Sequence, residues 1–189
     1  MARVRGLALF LVLAGCARPV PPSPWEKLGV RVVDGVPQLS EVEIELERTE
    51  CYGSCPAYTV KLSGDGTLIY AGKSYAKARG EHATAFEPQK LLPLLERFGE
   101  LDFLAQQHAC SVMVVDNSHA RIALRIGARS NSAFDGVVDA DDATNEMSAE
   151  DKLWHRKMFE LQNAIDAAAD IEFWIGTQAE RSEHRSEWR

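Results

Sequence analysis

The stretch with the most reactive chemistry is Arg48-Thr49-Glu50-Cys51-Tyr52-Gly53-Ser54-Cys55-Pro56-Ala57-Tyr58. Gly53 between the two cysteines permits a tight turn and Pro56 stiffens the exit, so Cys51 and Cys55 read as a disulfide-closed loop. Cys110 is an alternative partner for either one, or a buried or reactive free thiol. A thiol–disulfide exchange pair is the second chemistry open to Cys51 and Cys55. Such pairs use Cys-x-x-Cys with the first thiolate at a helix N-terminus, whereas here the spacing is one residue longer and the flanks are strands. Zinc is the third: His108 and Cys110 beside Cys51 and Cys55 would supply imidazole and thiolate, but their spacing fits no standard finger. No metal and no cofactor is expected. No catalytic residue can be named either. Ser118-His119 are only neighbours in sequence, and neither a nucleophile elbow nor a phosphate-binding glycine loop occurs.

A second candidate site is non-catalytic. Lys73, Tyr75, Lys77 and Arg79 recur at two-residue steps, so a strand there has a basic face with an aromatic in it. That face suits an anionic headgroup, a glycan or a protein partner; it would equally serve as a solvated edge that discourages strand pairing. The stretch from Asp135 to Asp151 inclusive holds seven acids and no Lys or Arg. Asp139, Asp141, Asp142, Asn145 and Glu146 have the oxygens for calcium, but Ala143 breaks the EF-hand pattern, leaving a solvated acidic loop.

Several elements must position these residues. Glu41 to Glu47 alternates acid and aliphatic, the clearest strand in the chain, with Val42, Ile44 and Leu46 facing a core. Tyr58 to Leu62 is a second strand, and Gly64-Asp65-Gly66 turns the chain into a third, Thr67 to Ala71. A fourth is expected over Lys73 to Arg79, ending at Gly80. A helix starts at Glu87-Pro88 with Leu91, Leu92, Leu95 and Phe98 as its apolar stripe. Pro93 should impose a kink or a tight first turn, and Gly99 should cap the helix. Strands come next at Arg121 to Ile126 and Arg129 to Phe134. A longer helix then begins at Ser148, with Trp154, Met158, Leu161, Ile165 and Ala168 on one face. Four strands, a helix, two strands and a helix, arriving in hairpins, predict an α+β domain: an antiparallel sheet of about six strands with helices on one face.

The residues Arg48 to Val60, with the Asp65-Gly66 turn and Tyr70 behind them, resemble an uncharacterised bacterial family, the domain of unknown function 6438. Its signature runs Arg-Thr-x-Cys-aromatic-Gly-x-Cys-Pro-x-Tyr-x-Val, then an Asp-Gly turn and a strand with Tyr. The resemblance extends over Val42 to Ile175 and implies an exported protein or lipoprotein. It carries no activity, ligand or catalytic residue with it.

The N-terminus agrees with export. Arg3 and Arg5 precede the apolar run Leu7 to Leu13, the pattern of a secretory signal. Leu13-Ala14-Gly15-Cys16 is similar to a bacterial lipobox, in which the Cys becomes the lipidated N-terminus. Three acyl chains at Cys16 would anchor the protein stably, since one chain alone holds only marginally. Ala17, where an inner-membrane lipoprotein would carry Asp, favours the outer membrane and a periplasm-facing domain. These readings divide the chain into a signal (1–15), the lipidated Cys and a Pro-rich spacer (16–40), one domain (41–176) and a polar tail (177–189). Without Arg3 and Arg5 the chain has 19 basic and 28 acidic residues, net −9. Nucleic acid is therefore not an expected partner, because phosphate binding needs clustered cations. The partners expected are the membrane, through Cys16, and an envelope protein or glycan. Together the readings suggest a non-enzymatic binding or structural module, with an envelope thiol–disulfide protein as the alternative.

Overall fold

A computed structural model describes residues 23–106, 118–136 and 148–189. Cys16, His108, Cys110 and the acidic residues Asp139 to Glu146 lie outside the described residues. The described chain opens with a one-turn helix α1 (Pro24–Lys27) and a short hairpin of β1 (Val32–Val33) and β2 (Val36–Pro37). Then come β3 (Val42–Arg48), β4 (Ala57–Ser63), β5 (Thr67–Ser74) and β6 (Gly80–Ala85). Helix α2 (Leu91–Glu100) leads to β7 (His119–Ile126) and β8 (Arg129–Gly136), and α3 (Ala149–Ala168), α4 (Ile171–Ile175) and α5 (Gln178–Glu183) finish it. The six longer strands form one antiparallel sheet in the order β6-β5-β4-β3-β7-β8, the α+β architecture expected.

The alternation in β3 decides the layering. Val42, Ile44 and Leu46 are fully buried, and with Tyr58, Val60, Leu62, Ile122 and Leu124 they meet Leu91, Leu95 and Phe98 of α2 and Met158, Leu161 and Ile165 of α3. Each such side chain contributes about 1.5–3 kcal/mol by leaving water. Glu43, Glu45 and Glu47 take the opposite face, where cations on β4, β5 and β7 neutralise them. Glu43 meets Lys61 at 2.9 Å and Arg125 at 2.6 Å, Glu45 meets Arg121 at 3.4 Å, and Glu47 meets Lys73 at 2.6 Å. The hydrogen bond from Arg125 holds the Glu43 carboxyl below its ordinary value.

Four expectations need correction. The fourth strand is Gly80–Ala85, not Lys73 to Arg79: β5 ends at Ser74, and Tyr75 turns the chain in a left-handed conformation (φ 52°). Leu94 rather than Leu92 completes the buried stripe of α2, because at about 100° per residue Leu94 falls on the side of Leu91, Leu95 and Phe98 while Leu92 turns away from it. Pro93 then falls in the first turn of α2, where its missing N–H costs little. Gly99 does not end the helix; it lies inside it, where α1 crosses so closely that a Cβ would sit 2.4 Å from the Pro24 carbonyl oxygen. The ordered domain also exceeds 41–176. Leu28 and Val30 are buried in the core with Trp25 against it, so the stretch from Pro24 is not spacer. At the other end α5 forms behind a Thr177 cap, and Trp188 stacks on His184.

The register gives the sheet two ends. Val42, Ser63, Thr67, Ala85, Ile126 and Arg129 mark one; Arg48, Tyr58, Gly72, Gly80, Ala120 and Asp135 mark the other. The N-terminal arm lies at the first end, with the Leu28 carbonyl accepting from Arg129 at 2.8 Å and Leu39 backed onto Gly64. The Cys51–Cys55 loop lies at the second. Seven residues of β3 at about 3.3 Å each separate the two ends by roughly 20 Å.

Candidate functional site

Beneath the Cys51–Cys55 loop, polar side chains occupy inward positions that the strand and helix periods would assign to apolar ones. Arg48 follows Val42, Ile44 and Leu46 on the inner face of β3, and Asp135 follows Ala133 on β8. His155, Gln162 and Asp166 line one edge of α3 beside its apolar stripe. They form a continuous network. Arg48 donates to Asp166 Oδ2 from Nε at 3.0 Å and from Nη2 at 2.7 Å, and to Gln162 Oε1 from Nη1 at 3.0 Å. Tyr58, buried to 1%, donates its hydroxyl hydrogen to Asp166 Oδ1 at 2.7 Å and accepts from Arg48 Nε at 3.1 Å. Gln162 Nε2 donates to Asp135 Oδ2 at 2.7 Å. His155 Nδ1 lies 2.6 Å from Asp135 Oδ1, and since a carboxylate only accepts, that nitrogen carries the hydrogen.

The electrostatics follow from burial. Burial opposes the charge on Arg48, but Asp166 and Tyr58 outweigh it and hold the guanidinium further above its ordinary value. Tyr58 is pushed up by burial and by Asp166, and so stays a neutral donor. Burial raises the carboxyls of Asp166 and Asp135, against the pull of Arg48 and Tyr58 on the first and of His155 on the second. The Arg48 and Asp166 side chains keep only 16% and 14% of their exposure, so the network is largely buried. It contains no nucleophile activated by a base. Its work is positional: it ties the end of β3, and with it the root of the loop, to α3. Beside it Thr49 accepts from the His119 backbone N–H at 2.8 Å, while the buried Nδ1 of His119 finds no partner among the described residues.

Above the network the sulfurs of Cys51 and Cys55 are bonded, with Cα atoms 5.7 Å apart. Cys110, the alternative partner, lies outside the described residues. No group of three or more His, Cys, Asp or Glu among the described residues is arranged to hold a metal ion. Closing so short a loop removes little unfolded-state entropy, about 2 kcal/mol on the chain-entropy model. The double variant Cys51→Ser/Cys55→Ser should therefore stay folded and lose about that much in urea denaturation. The bridge itself, rooted in rigid strands, is expected to titrate below about −300 mV against a redox buffer. A potential near those of exchange proteins would instead make the pair a redox centre.

Lys73, Tyr75, Lys77 and Arg79 are not one strand face, because the chain loops back after Ser74. Lys73 is paired with Glu47 on the open side of the sheet. Lys77 reaches Glu180 at 2.9 Å, and the Thr177 backbone N–H together with Lys77 holds the Glu180 carboxyl down to about 2. Arg79 donates to the Lys73 carbonyl at 2.8 Å and to the Arg189 carbonyl at 2.9 Å. The Tyr75 N–H donates to the Trp188 carbonyl at 2.6 Å. Lys73, Tyr75 and Arg79 do share a cleft of about 750 Å³ with the loop residues Cys51, Tyr52 and Gly53. Sequence reasoning missed Arg185 and Arg189, which line the same cleft, and the network that joins Arg48 and Tyr58 to Asp135, His155, Gln162 and Asp166. Arg48 and Asp135 had one available signal, a charge in phase with apolar neighbours.

The profile of a known family matches the chain over residues 42–153. The chain belongs to the DUF6438 family, a domain of unknown function. No curated protein is significantly similar to it. The DUF6438 segment takes in the sheet, the disulfide loop, Arg48, Tyr58 and Asp135, and ends at Leu153. Gln162, Asp166 and the arginines of the C-terminal segment lie beyond it. No helix among the described residues of this DUF6438 protein is long and apolar enough to cross a membrane.

Proposed function

We propose that this protein is a lipid-anchored, non-enzymatic binding module of the bacterial cell envelope, tethered at Cys16 and facing the periplasm, with the outer membrane as its site. The observation that carries the reading is the position of the Cys51–Cys55 loop. A disulfide suits an oxidising compartment, and this one closes an exposed loop on a buried, rigid root. That loop lies at the end of the sheet remote from the N-terminal arm, roughly 20 Å away. A chain anchored through Cys16 and a proline-rich stretch thus carries this loop away from the bilayer. Proline-rich segments are extended and semi-rigid, which adds to the standoff.

The test is metabolic labelling with an alkyne fatty acid in a diderm bacterial host, followed by membrane fractionation. The full chain should take the label, and after outer and inner membranes are separated it should sit in the outer one. Cys16→Ala should take none and leave the membrane fraction or retain an uncleaved signal. An unlabelled full chain with a processed N-terminus downstream of Cys16 would overturn the anchor.

A further inference from the structure

The chain carries a net charge of −7, yet Lys73, Arg79, Arg181, Arg185 and Arg189 line the two hollows beside the disulfide loop. Arg181 lies in α5, and Arg185 and Arg189 lie in the turn and the chain that follow it. Arg181 and Arg185 line a hollow of about 400 Å³ against Ser54 and Cys55. Arg185 and Arg189 line the cleft of about 750 Å³ on the other flank of the loop, against Cys51 and Tyr52. Arg185 thus borders both. It is exposed and has no ion-pair or hydrogen-bond partner among the described residues. Lys73 and Arg79 add to the cleft, and Glu50 is its single acid, its carboxylate occupied by the Ser74 hydroxyl at 2.7 Å.

The aromatic component is equally marked. Tyr52 is 90% exposed at the tip of the loop, so its ring face is bare to water. The bridge on either side of it restricts the loop, so little ordering entropy remains for a ligand to pay. Across the cleft Tyr75 holds the left-handed backbone that the Trp188 carbonyl secures. Residues fixed in that region cluster where a surface has work to do. A bare aromatic ring offers a stacking platform for the apolar face of a planar or ring-shaped ligand. A free guanidinium offers a planar fork matched to carboxylate or phosphate.

We infer that this cleft binds an acidic saccharide, its sugar ring against Tyr52 and its carboxylate or phosphate on Arg185. This rests on the binding-module reading and supplies its ligand class. Of the cleft's cations, Lys73 and Arg79 lie inside the segment matched to the family, and Arg185 and Arg189 lie beyond it. The contact is exposed, so it is screened by salt and weakens as ionic strength rises.

The experiment uses the mature lipoprotein in non-ionic detergent micelles, titrated at low salt by calorimetry. The probes are hexagalacturonate for an acidic sugar, maltohexaose for a neutral one and inorganic phosphate for an anion without a sugar. Hexagalacturonate should bind at least about tenfold more tightly than either control, a gap of about 1.4 kcal/mol. Arg185→Ala and Tyr52→Ala should each weaken it by about tenfold or more, with unchanged melting temperatures, since both side chains are exposed. Phosphate binding as tight as hexagalacturonate binding, equal binding of maltohexaose, indifference to both substitutions, or no heat at millimolar hexagalacturonate would each overturn the inference. Lipidation failing while hexagalacturonate binds would remove the anchor and leave the cleft. A lipidated protein that ignores hexagalacturonate would do the reverse.

Discussion

Asp166→Ala should cost about 3–5 kcal/mol of folding stability, the range for stripping one partner from a buried ion pair. Asp166 is the acceptor for two nitrogens of Arg48 and for the Tyr58 hydroxyl, so its loss strands a cation and a phenol together. A guanidinium cannot shed its charge by deprotonation, so the variant must break open the Arg48 end of β3 or bury the charge unpaired. Arg48→Met should cost less. The methionine fills part of the space, and Asp166, whose carboxyl burial already raises, escapes by taking up a proton. The pH dependence separates the two cases. A carboxyl raised in the folded state adds stability that is complete below its ordinary value of 3.8 and is lost as pH climbs through the raised value. Arg48→Met removes the cation that opposes this rise, so its deficit relative to the parent should grow from pH 5 to pH 8. The Asp166→Ala deficit should not grow over that range, because the variant lacks the carboxyl whose raised value makes the parent lose stability as pH climbs. Urea midpoints at the two pH values read both results, and an Asp166→Ala deficit that grows with pH would sink the account.

The same network shows where the sequence was legible and where it was not. Alternation from Val42 to Leu46 marks the inner face of β3, and carried one step further it reaches Arg48. Nothing local says that such a charge is satisfied, because its partners lie 114 and 118 residues away on α3. Helical spacing marks Met158, Leu161 and Ile165, but Gln162 and Asp166 beside them read as an ordinary solvated edge. The two termini failed for a different reason. Trp25, Leu28 and Val30, and later Trp188, are single apolar anchors in polar surroundings, too sparse to make a period, yet they pack on the domain. The misplaced fourth strand is a third kind of miss. Lys73 to Arg79 alternates like a strand, while the true β6, Gly-Glu-His-Ala-Thr-Ala, is an edge strand exposed at every residue and carries one β-branched side chain. Burial writes a pattern into sequence; an edge strand, held by backbone bonds to one neighbour, leaves little trace.

That loop in place of a strand makes Gly72→Ala the second large effect. A Cβ at Gly72 would lie 2.0 Å from the Ala78 carbonyl oxygen and 2.7 Å from the Tyr70 hydroxyl, which itself donates to that carbonyl at 3.2 Å. One of them must move. Tyr70 is fully buried and stacked on Trp174, with ring centroids 5.0 Å apart. The loop is pinned as firmly: Ala76 is fully buried, and the N–H groups of Tyr75, Lys77 and Ala78 donate to the carbonyls of Trp188, Ile175 and Trp174. The substitution should therefore cost at least the upper end of the about 1–3 kcal/mol seen for overpacking. Displacing the loop also carries Tyr75 and Arg79 out of the cleft, so hexagalacturonate binding should fall by about tenfold or more, while the Cys51–Cys55 bridge persists. Gly80→Ala is the control for backbone strain without collision. Gly80 has a φ of 79° but open space around its Cβ position, so its cost is the left-handed penalty, about 1–2 kcal/mol, with the cleft left intact. Equal losses of binding in the two variants would show that strain at the ends of β5 and β6, rather than the closely packed loop, governs the cleft.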